Sequence, residues 1–365
     1  MFSLHIDTAR EWRGGQSHVL HLVLGLRAIG HRAALVAHPD GELLRRMREG
    51  LDLIPLAPRG EVDLAAAWRL SRVVKRLTPD LIHAHDPHAV AMAATALSIV
   101  SPSPKTPLVA SRRSAAHLAR TSLSRWEHSQ VDCFIANSGV IRDRLVSEGI
   151  PLEHTAIVTE GVDVERIVRM PAANVHAAFY LPTHAPIVGS VASLVAHKGH
   201  HHLIDAAALV VREVPDARFV IVGDGELRES LEKHIRDTHL ERHVFLVGFR
   251  TDVLELTKGF DLFAVSSVIE GMYVALLDAM AAAKATVATA VGAIAEVVAD
   301  GETGFLVPPR DHVAMAEKLV LLLKDPVLRS RMGEAALTRV RERFTVERMV
   351  EDTAAVYERL TAARD

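Results

Sequence analysis

One cysteine, Cys133, is the only thiol in 365 residues. No disulfide can close within the chain and no thiolate cluster can hold zinc, so the composition suits a reducing compartment such as the cytoplasm. Cys133 opens an apolar run to Ala136 and reads as a small buried hydrophobe. Aromatic residues are scarce, 4% against 49% apolar residues overall. The cores must therefore be aliphatic, which suits buried parallel strands covered by helices. Long hydrophobic runs are missing too: the longest mainly apolar stretch, Ala89–Val100, has 12 residues, and a membrane span needs about 20. The N-terminus has neither the basic start nor the apolar length of a signal peptide. A strong charge of either sign is lacking. The net formal charge of −3 argues against a general nucleic-acid binder. Residues 1–165 carry 19 Lys and Arg against 18 Asp and Glu, and the remainder 23 against 27. The first part is thus near neutral, but its cations are clustered.

What is present is a regular alternation. Short apolar runs predict strands at Phe2–Ile6, Ala33–Ala37, Leu81–His85, Pro107–Ala110, Cys133–Ala136 and Ala156–Thr159. A second set follows at Ile187–Ser190, Arg218–Val222, Val244–Leu246, Leu262–Ala264, Thr286–Ala288 and Phe305–Val307. Helical patterns separate them, among them Gln16–Ile29, Leu64–Leu77, His202–Val214, Ala275–Ala283 and His312–Lys324. Strand and helix in alternation indicate parallel sheets. The length suggests two domains. The strand pattern pauses between Val164 and Ala178, which places an N-terminal domain at 1–165 and a C-terminal one at 166–345. Two helical segments, Pro326–Arg343 and Val346–Ala363, end the chain.

Ligands of open parallel sheets sit beyond the carboxyl ends of the strands, and four stretches there carry chemistry. Gly14-Gly15, in Arg13-Gly14-Gly15-Gln16, lets a ligand approach the backbone at a helix start; a plain strand-to-helix turn is the blander reading. In His83-Ala84-His85-Asp86-Pro87-His88, strand alternation puts His83 and His85 on one face. A zinc reading fails on the order of the residues, which leaves His83 structural and His85 as the candidate for substrate contact. Lys198, in His197-Lys198-Gly199, is a cation beside a helix start, suited to a diphosphate. Finally, Ser266–Met280 runs from a strand through Glu270-Gly271 into a helix bearing Asp278. Its carboxylates suit hydroxyl groups, and the amides near Met272–Val274 suit phosphate oxygens. A dinucleotide cofactor is not expected, because Gly223-Asp224-Gly225 lacks the third glycine of the fingerprint: Arg228 stands there.

Taken together, Arg13-Gly14-Gly15-Gln16, Leu81-Ile82-His83-Ala84-His85-Asp86, Asn137-Ser138, Glu160-Gly161-Val162-Asp163, Lys198-Gly199, Gly223-Asp224-Gly225, Glu270-x7-Asp278 and Ala285–Pro308 resemble the retaining GT-B glycosyltransferases of group 1 (family 4). The resemblance covers nearly the whole chain. It implies an α/β fold of two Rossmann-like domains facing across a cleft, the helix 346–365 returning to the N-terminal one. It also implies transfer of a hexose-type sugar from a nucleoside-diphosphate sugar, with retention and without a metal or other cofactor. His85, Glu270 and Lys198 are the implied catalytic set. Gly15, Ser193, Lys198, Gly271, Met272, Tyr273, Asp278 and Phe249 are the implied donor contacts, with Asp278 on the ribose. Arg13, Arg112 and Arg113 are the expected acceptor-side cations. Alanine at Lys198 or Glu270 is expected to abolish transfer without changing stability.

Three residues depart from the family pattern. Ser193 stands where relatives have an arginine, Tyr273 where they have a glycine, and Asp278 where they have a glutamate. The expected outcome is weaker diphosphate binding, with the Tyr273 phenol a replacement donor. The alternatives are a sugar-nucleotide 2-epimerase of the same architecture, or a sugar-nucleotide-binding protein without turnover. The acceptor side has one further feature. Arg69, Arg72 and Arg76 share a helix face, and Arg112, Arg113, Arg120 and Arg125 lie in a stretch without acids. Such a surface suits a phosphorylated or lipid-linked acceptor, a cell-envelope glycan, or peripheral contact with an anionic inner-membrane face.

Overall fold

A computed structural model describes residues 1–12, 14–47, 52–60, 63–101, 105–114, 117–118 and 121–362. Arg13 and Arg120 lie outside the described residues. The chain forms two compact units. One comprises Met1–Gly161 together with the residues from Val346 onward, and the other Val162–Thr345. The division falls at Gly161/Val162, four residues ahead of the expected 165/166.

The N-terminal unit holds β1 (Phe2–Asp7), β2 (Arg32–Ala37), β3 (Asp52–Pro55), β4 (Leu81–Ala84), β5 (Leu108–Arg112), β6 (Cys133–Ala136) and β7 (Thr155–Ile157). They form one parallel sheet in the order β3-β2-β1-β4-β5-β6-β7. β3 has no counterpart among the expected strands. It is a short edge strand with no buried residue, so it lacks the apolar run that betrays the others. The order reverses between β1 and β4, where connections leave in opposite directions and open a crevice at the carboxyl edge.

Alternation divides this sheet into two faces. Leu4, Ile6, Ile82, Ala84, Leu108, Ala110 and Phe134 face one aliphatic core. Leu81, Val109, Cys133 and Ile135 face another, closed by Met349, Val350, Ala354 and Tyr357 of the helix Val346–Ala362. On that second face Ser3, His5, His83 and Ser111 interrupt the apolar pattern toward the carboxyl edge. The helix Leu64–Leu77 shows how local sequence sets an end. Asp63 accepts from the Ala66 amide at 2.9 Å, satisfying a free helix donor, and Thr78 stops the helix at φ 44°.

The C-terminal unit holds β8 (Ile187–Val191), β9 (Arg218–Val222), β10 (Val244–Gly248), β11 (Leu262–Val265), β12 (Thr286–Thr289) and β13 (Gly304–Val307). They form a second parallel sheet in the order β10-β9-β8-β11-β12-β13. The order reverses between β8 and β11. The expected strands agree with these within one or two residues at either end. Aliphatic cores cover both faces, one centred on Val220, Phe263 and Leu277 and the other on Phe219, Ile204 and Leu319.

Candidate active site

The reversal between β8 and β11 brings Lys198 and Glu270 together, although 72 residues separate them. Two loops are stitched to make this contact. The Val268 amide donates to the His197 carbonyl at 2.8 Å, and Ser266 Oγ donates to the Lys198 carbonyl at 3.0 Å. Gly199 sits at φ +66°, and a Cβ there would lie 2.2 Å from the Ser266 carbonyl, so no other residue fits the crossing. Gly292 backs the Glu270 loop in the same way, its virtual Cβ 2.0 Å from the Glu270 carbonyl.

Lys198 Nζ donates to Glu270 Oε1, and Ser267 Oγ donates to the same oxygen at 2.8 Å. The ammonium also stands 4.5 Å from the Tyr273 ring centroid, where the π face attracts a cation. Tyr273 is buried, and its hydroxyl donates to the Val191 carbonyl at the end of β8. That contact corrects one expectation. The phenol is not held in reserve for a phosphate oxygen, because its proton already ties the loop after β11 to β8. Burial, then the charge of Glu270, keeps the phenol pKa well above the ordinary value.

Asp278 lies in the helix Val274–Ala281, half-buried. Burial pushes its pKa up to about 7, against the pull of Arg166. Near neutrality this carboxyl is therefore poised between acid and carboxylate. Gly271 and Met272 are half-buried ahead of that helix, and Tyr273 at its N-cap offers no side-chain hydrogen bond to the first amides. Ser193 is exposed on the loop between β8 and Lys198, and its carbonyl accepts from His200 Nε2 at 3.1 Å. Phe249, just past β10, is 77% exposed, a large apolar ring left in solvent. The neighbouring Arg250 is held by Asp252 at 2.7 and 2.8 Å.

The N-terminal unit carries a second polar cluster at its own reversal. Asp86 follows β4 and caps the next helix through the Ala89 amide at 2.9 Å. It also accepts from the Thr8 amide at 2.6 Å, fixing the loop after β1. His85, one residue earlier, is buried with both ring nitrogens engaged. Nε2 meets His5 Nδ1 at 3.0 Å, and Nδ1 meets Arg113 Nη2 at 3.1 Å and Ser111 Oγ at 3.3 Å. Arg113 continues to Glu160 at 3.5 Å and to the Gly15 carbonyl at 3.5 Å. A Cβ on Gly15 would sit 3.2 Å from that guanidinium. Glu160 is buried and also accepts from His18 Nδ1 and, at 3.4 Å, from Asn137 Nδ2. Burial alone would raise its pKa, but these partners outweigh burial and hold it at about 2. Asp7 moves the other way, to about 6, through burial and the charge of Asp86.

Of the expected cations, Arg113 reaches this cluster and Arg112 does not. Arg112 ends β5 with its side chain among the charges of Glu148 and Arg144, and burial lowers its pKa. Adjacent strand residues point to opposite faces, so the pair could not act together. His5, His18 and Ser111 complete the cluster without having been singled out, together with Glu160, which the sequence offered only as part of the Glu160–Asp163 motif. The signal was there for His5: Ser3, His5 and Asp7 alternate within an otherwise apolar buried strand.

His5, His83 and His85 offer ring nitrogens within 4.8 Å of one another, the makings of a metal trio. Their chemistry speaks for hydrogen bonding instead. Arg113 donates to His85 Nδ1 at 3.1 Å, and its fixed positive charge opposes a cation there. Burial pushes His5 down to about 3 and His83 and His85 well below the ordinary imidazole value, so all three are neutral.

Residues 12–166 match the family described as Glycosyltransferase Family 4, and residues 174–339 match Glycosyl transferases group 1. The chain is a group 1 glycosyltransferase of the GT-B fold. This glycosyltransferase is 27% identical over 305 residues to N-acetyl-alpha-D-glucosaminyl L-malate synthase of Bacillus anthracis, covering 81% of this chain and 78% of that protein. It is 28% identical over 352 residues to phosphatidyl-myo-inositol mannosyltransferase of Mycobacterium tuberculosis (strain CDC 1551 / Oshkosh), covering 89% of each. Its fold is similar to that of Anabaena Alr3699/HepE in complex with UDP. The TM-score is 0.85 at 22% identity, over 98% of this chain and 100% of the other.

Proposed function

We propose that this glycosyltransferase moves a hexose-type sugar from a nucleoside-diphosphate sugar to an acceptor hydroxyl, with retention and without a metal ion. The observation that carries the reading is the buried Lys198–Glu270 pair at the β8/β11 reversal. It places a cation for an anionic diphosphate beside a carboxylate for sugar hydroxyls, at the edge where such sheets bind ligands. Three further features support it. The amides opening the helix Val274–Ala281 add positive potential. Asp278 is a clamp for a ribose diol, and Phe249 is a surface for a base or sugar. Ser193 contributes one hydroxyl where relatives have a guanidinium.

In this reaction the bond from the anomeric carbon to the β-phosphate oxygen breaks, and a bond from the acceptor oxygen forms on the same face. The acceptor proton passes to the leaving phosphate oxygen. Catalysis then rests on fixed positive charge around the departing diphosphate, and Lys198 supplies it. No paired-carboxylate scheme is needed. In the N-terminal unit, a sugar hydroxyl that meets His85 donates to Nδ1 in place of Arg113. The guanidinium stays beside Glu160 through Nε, and Nη2 turns to negative charge on the ligand. Arg13 and Arg113 are the acceptor-side cations of this reading, Gly15 stays a donor contact, and Arg112 drops out of it.

A lipid-linked or cell-envelope acceptor fits the exposed face of the helix Leu64–Leu77. Trp68, Arg69, Arg72, Lys75 and Arg76 are exposed there, with Arg72 5.2 Å from the Trp68 ring centroid. Among the described residues no helix is long and apolar enough to cross a membrane, so the contact would be peripheral, on a cytoplasmic face. The test offers UDP- and GDP-sugars with soluble and lipid-linked acceptors, in EDTA, and reads the product's anomeric configuration by NMR. A retained product in EDTA is expected. An inverted product, or activity that returns only with added divalent metal, would overturn the scheme.

A further inference from the structure

We infer that Tyr357, on the helix Val346–Ala362, is a positioning residue that fixes the tautomer of His85 through His83 and Ser111. The inference deepens the reading of His85 given above and rests on it. Tyr357 is fully buried, and its hydroxyl meets His83 Nδ1 at 2.5 Å across 274 residues of sequence. His83 Nε2 meets Ser111 Oγ at 2.8 Å, and Ser111 Oγ meets His85 Nδ1 at 3.3 Å. Beyond His85, Nε2 meets His5 Nδ1 at 3.0 Å, and His5 Nε2 meets Ser3 Oγ at 2.9 Å.

The direction of every proton in this chain follows from two ends. Arg113 can only donate, so His85 Nδ1 is an acceptor. His85 therefore carries its proton on Nε2 and gives it to His5, which gives its own to Ser3. At the other end the Tyr357 hydroxyl is protonated, because burial holds its pKa well above the ordinary value. A buried hydroxyl proton must be spent, and His83 Nδ1 takes it. His83 then donates from Nε2 to Ser111, whose own proton turns toward His85. All the donors point one way.

The value of the far end appears once Arg113 moves. With Arg113 engaged elsewhere, the second tautomer of His85 needs an acceptor opposite Nδ1. Ser111 is the neighbour there, and its oxygen can take that second bond only by turning its own proton off His85, while its other partners in the free protein, His83 Nε2 and Arg113, both donate to it. Tyr357 thus keeps the His85 lone pair facing outward when a substrate hydroxyl arrives. Without the hydroxyl, His83 can turn its proton to Nδ1 and accept from Ser111, and the constraint on His85 is gone.

The experiment uses the full-length protein with Tyr357→Phe, Ser111→Ala and the double variant, each also on an Arg113→Ala background. Imidazole nitrogen shifts of selectively labelled histidine report the tautomers at neutral pH. Kinetics report kcat and donor KM. In Arg113→Ala, His85 should keep its proton on Nε2, and adding Tyr357→Phe should produce a mixture. With Arg113 present, Tyr357→Phe should lower kcat by roughly three- to tenfold, the weight of one hydrogen bond, with donor KM unchanged. The double variant with Ser111→Ala should cost no more than the worse single change. The inference is overturned if His85 keeps one tautomer in all the Arg113→Ala variants. It is equally overturned if Tyr357→Phe and Ser111→Ala act additively, as two unlinked packing defects would. Should Tyr357→Phe fail to fold, Ser111→Ala on the Arg113→Ala background decides by the same shifts. A wild type that transfers no sugar would remove the transferase scheme, while the shifts would still decide the wiring.

Discussion

Glu270→Gln should bind nucleoside diphosphate more tightly than the wild type while losing transfer. In the free protein Lys198 is already satisfied, donating to Glu270 Oε1. A diphosphate must displace that carboxylate before it gains the ammonium. Glutamine keeps a hydrogen bond from Ser267 and removes the competing charge. A hydrogen bond to a charged group is worth about 1.5–3 kcal/mol, so the gain should be about tenfold to hundredfold in Kd. Stability should move in the opposite sense. The partners' side chains are 14% and 8% exposed, which makes this a buried pair and not a surface one. Leaving one buried charge without its partner costs about 3–5 kcal/mol. At about 2–4 °C per kcal/mol for a unit of this size, Lys198→Met should lower the melting temperature by about 6–20 °C. That revises the expectation, drawn from the sequence, that both positions serve turnover alone. Lys198→Met/Glu270→Gln should recover most of the loss, since neither charge is then stranded. Calorimetric titration with whichever of UDP, GDP, ADP and dTDP binds, alongside thermal melts, reads both effects. If Glu270→Gln binds no tighter, or the two single variants melt within about 2 °C of the wild type, the pair does not hold Lys198 in check.

Asp278 supplies a pH signature. Its carboxyl titrates near 7 in the fold against 3.8 for an ordinary aspartate, so the stability associated with the protonated form is present below about pH 4 and is lost as pH rises through 7. A ribose diol donates best to the carboxylate, so affinity for an intact nucleotide sugar should rise from pH 6 to 8, and Asp278→Asn should flatten both trends. Tyr273→Gly, which restores the family residue, should destabilise the C-terminal unit by about 3–5 kcal/mol, the usual cost of emptying a buried aromatic site. Chemical denaturation measures it, and a change under 1 kcal/mol would mean the ring does not prop the Lys198 loop.

The parts of the fold that were legible from sequence are those where burial on both faces forces an aliphatic run. Leu81–Ala84, Cys133–Ala136 and Arg218–Val222 announce themselves in that way. Asp52–Pro55 does not, because an edge strand with half-exposed residues needs no such run. Lys198 and Glu270 were legible as polar residues after strand ends, since the carboxyl edge is where a sheet leaves room. Their pairing was not, because contact across 72 residues depends on β8 and β11 being neighbours. The role of Tyr273 was misread for a related reason. Sequence shows a bulky residue in a loop near phosphate, and only the path of β8 reveals a carbonyl at Val191 waiting for its hydroxyl. Tyr357 carried no signal beyond helical periodicity, for its partner lies on a strand made 274 residues earlier.

That last distance has a consequence for how the molecule is made. A ribosome lays down Met1–Gly161 first, then all of Val162–Thr345, and only then the helix that covers the β4–β6 face. Until it arrives, Leu22, Leu26, Leu81, Val109 and Ile135 have no lid. The middle of the chain can close its own core while the beginning waits. Newborn chains should therefore carry a completed C-terminal unit and an unfinished, chaperone-sensitive N-terminal one. A fragment stopping at Gly161 would keep that sticky face for good.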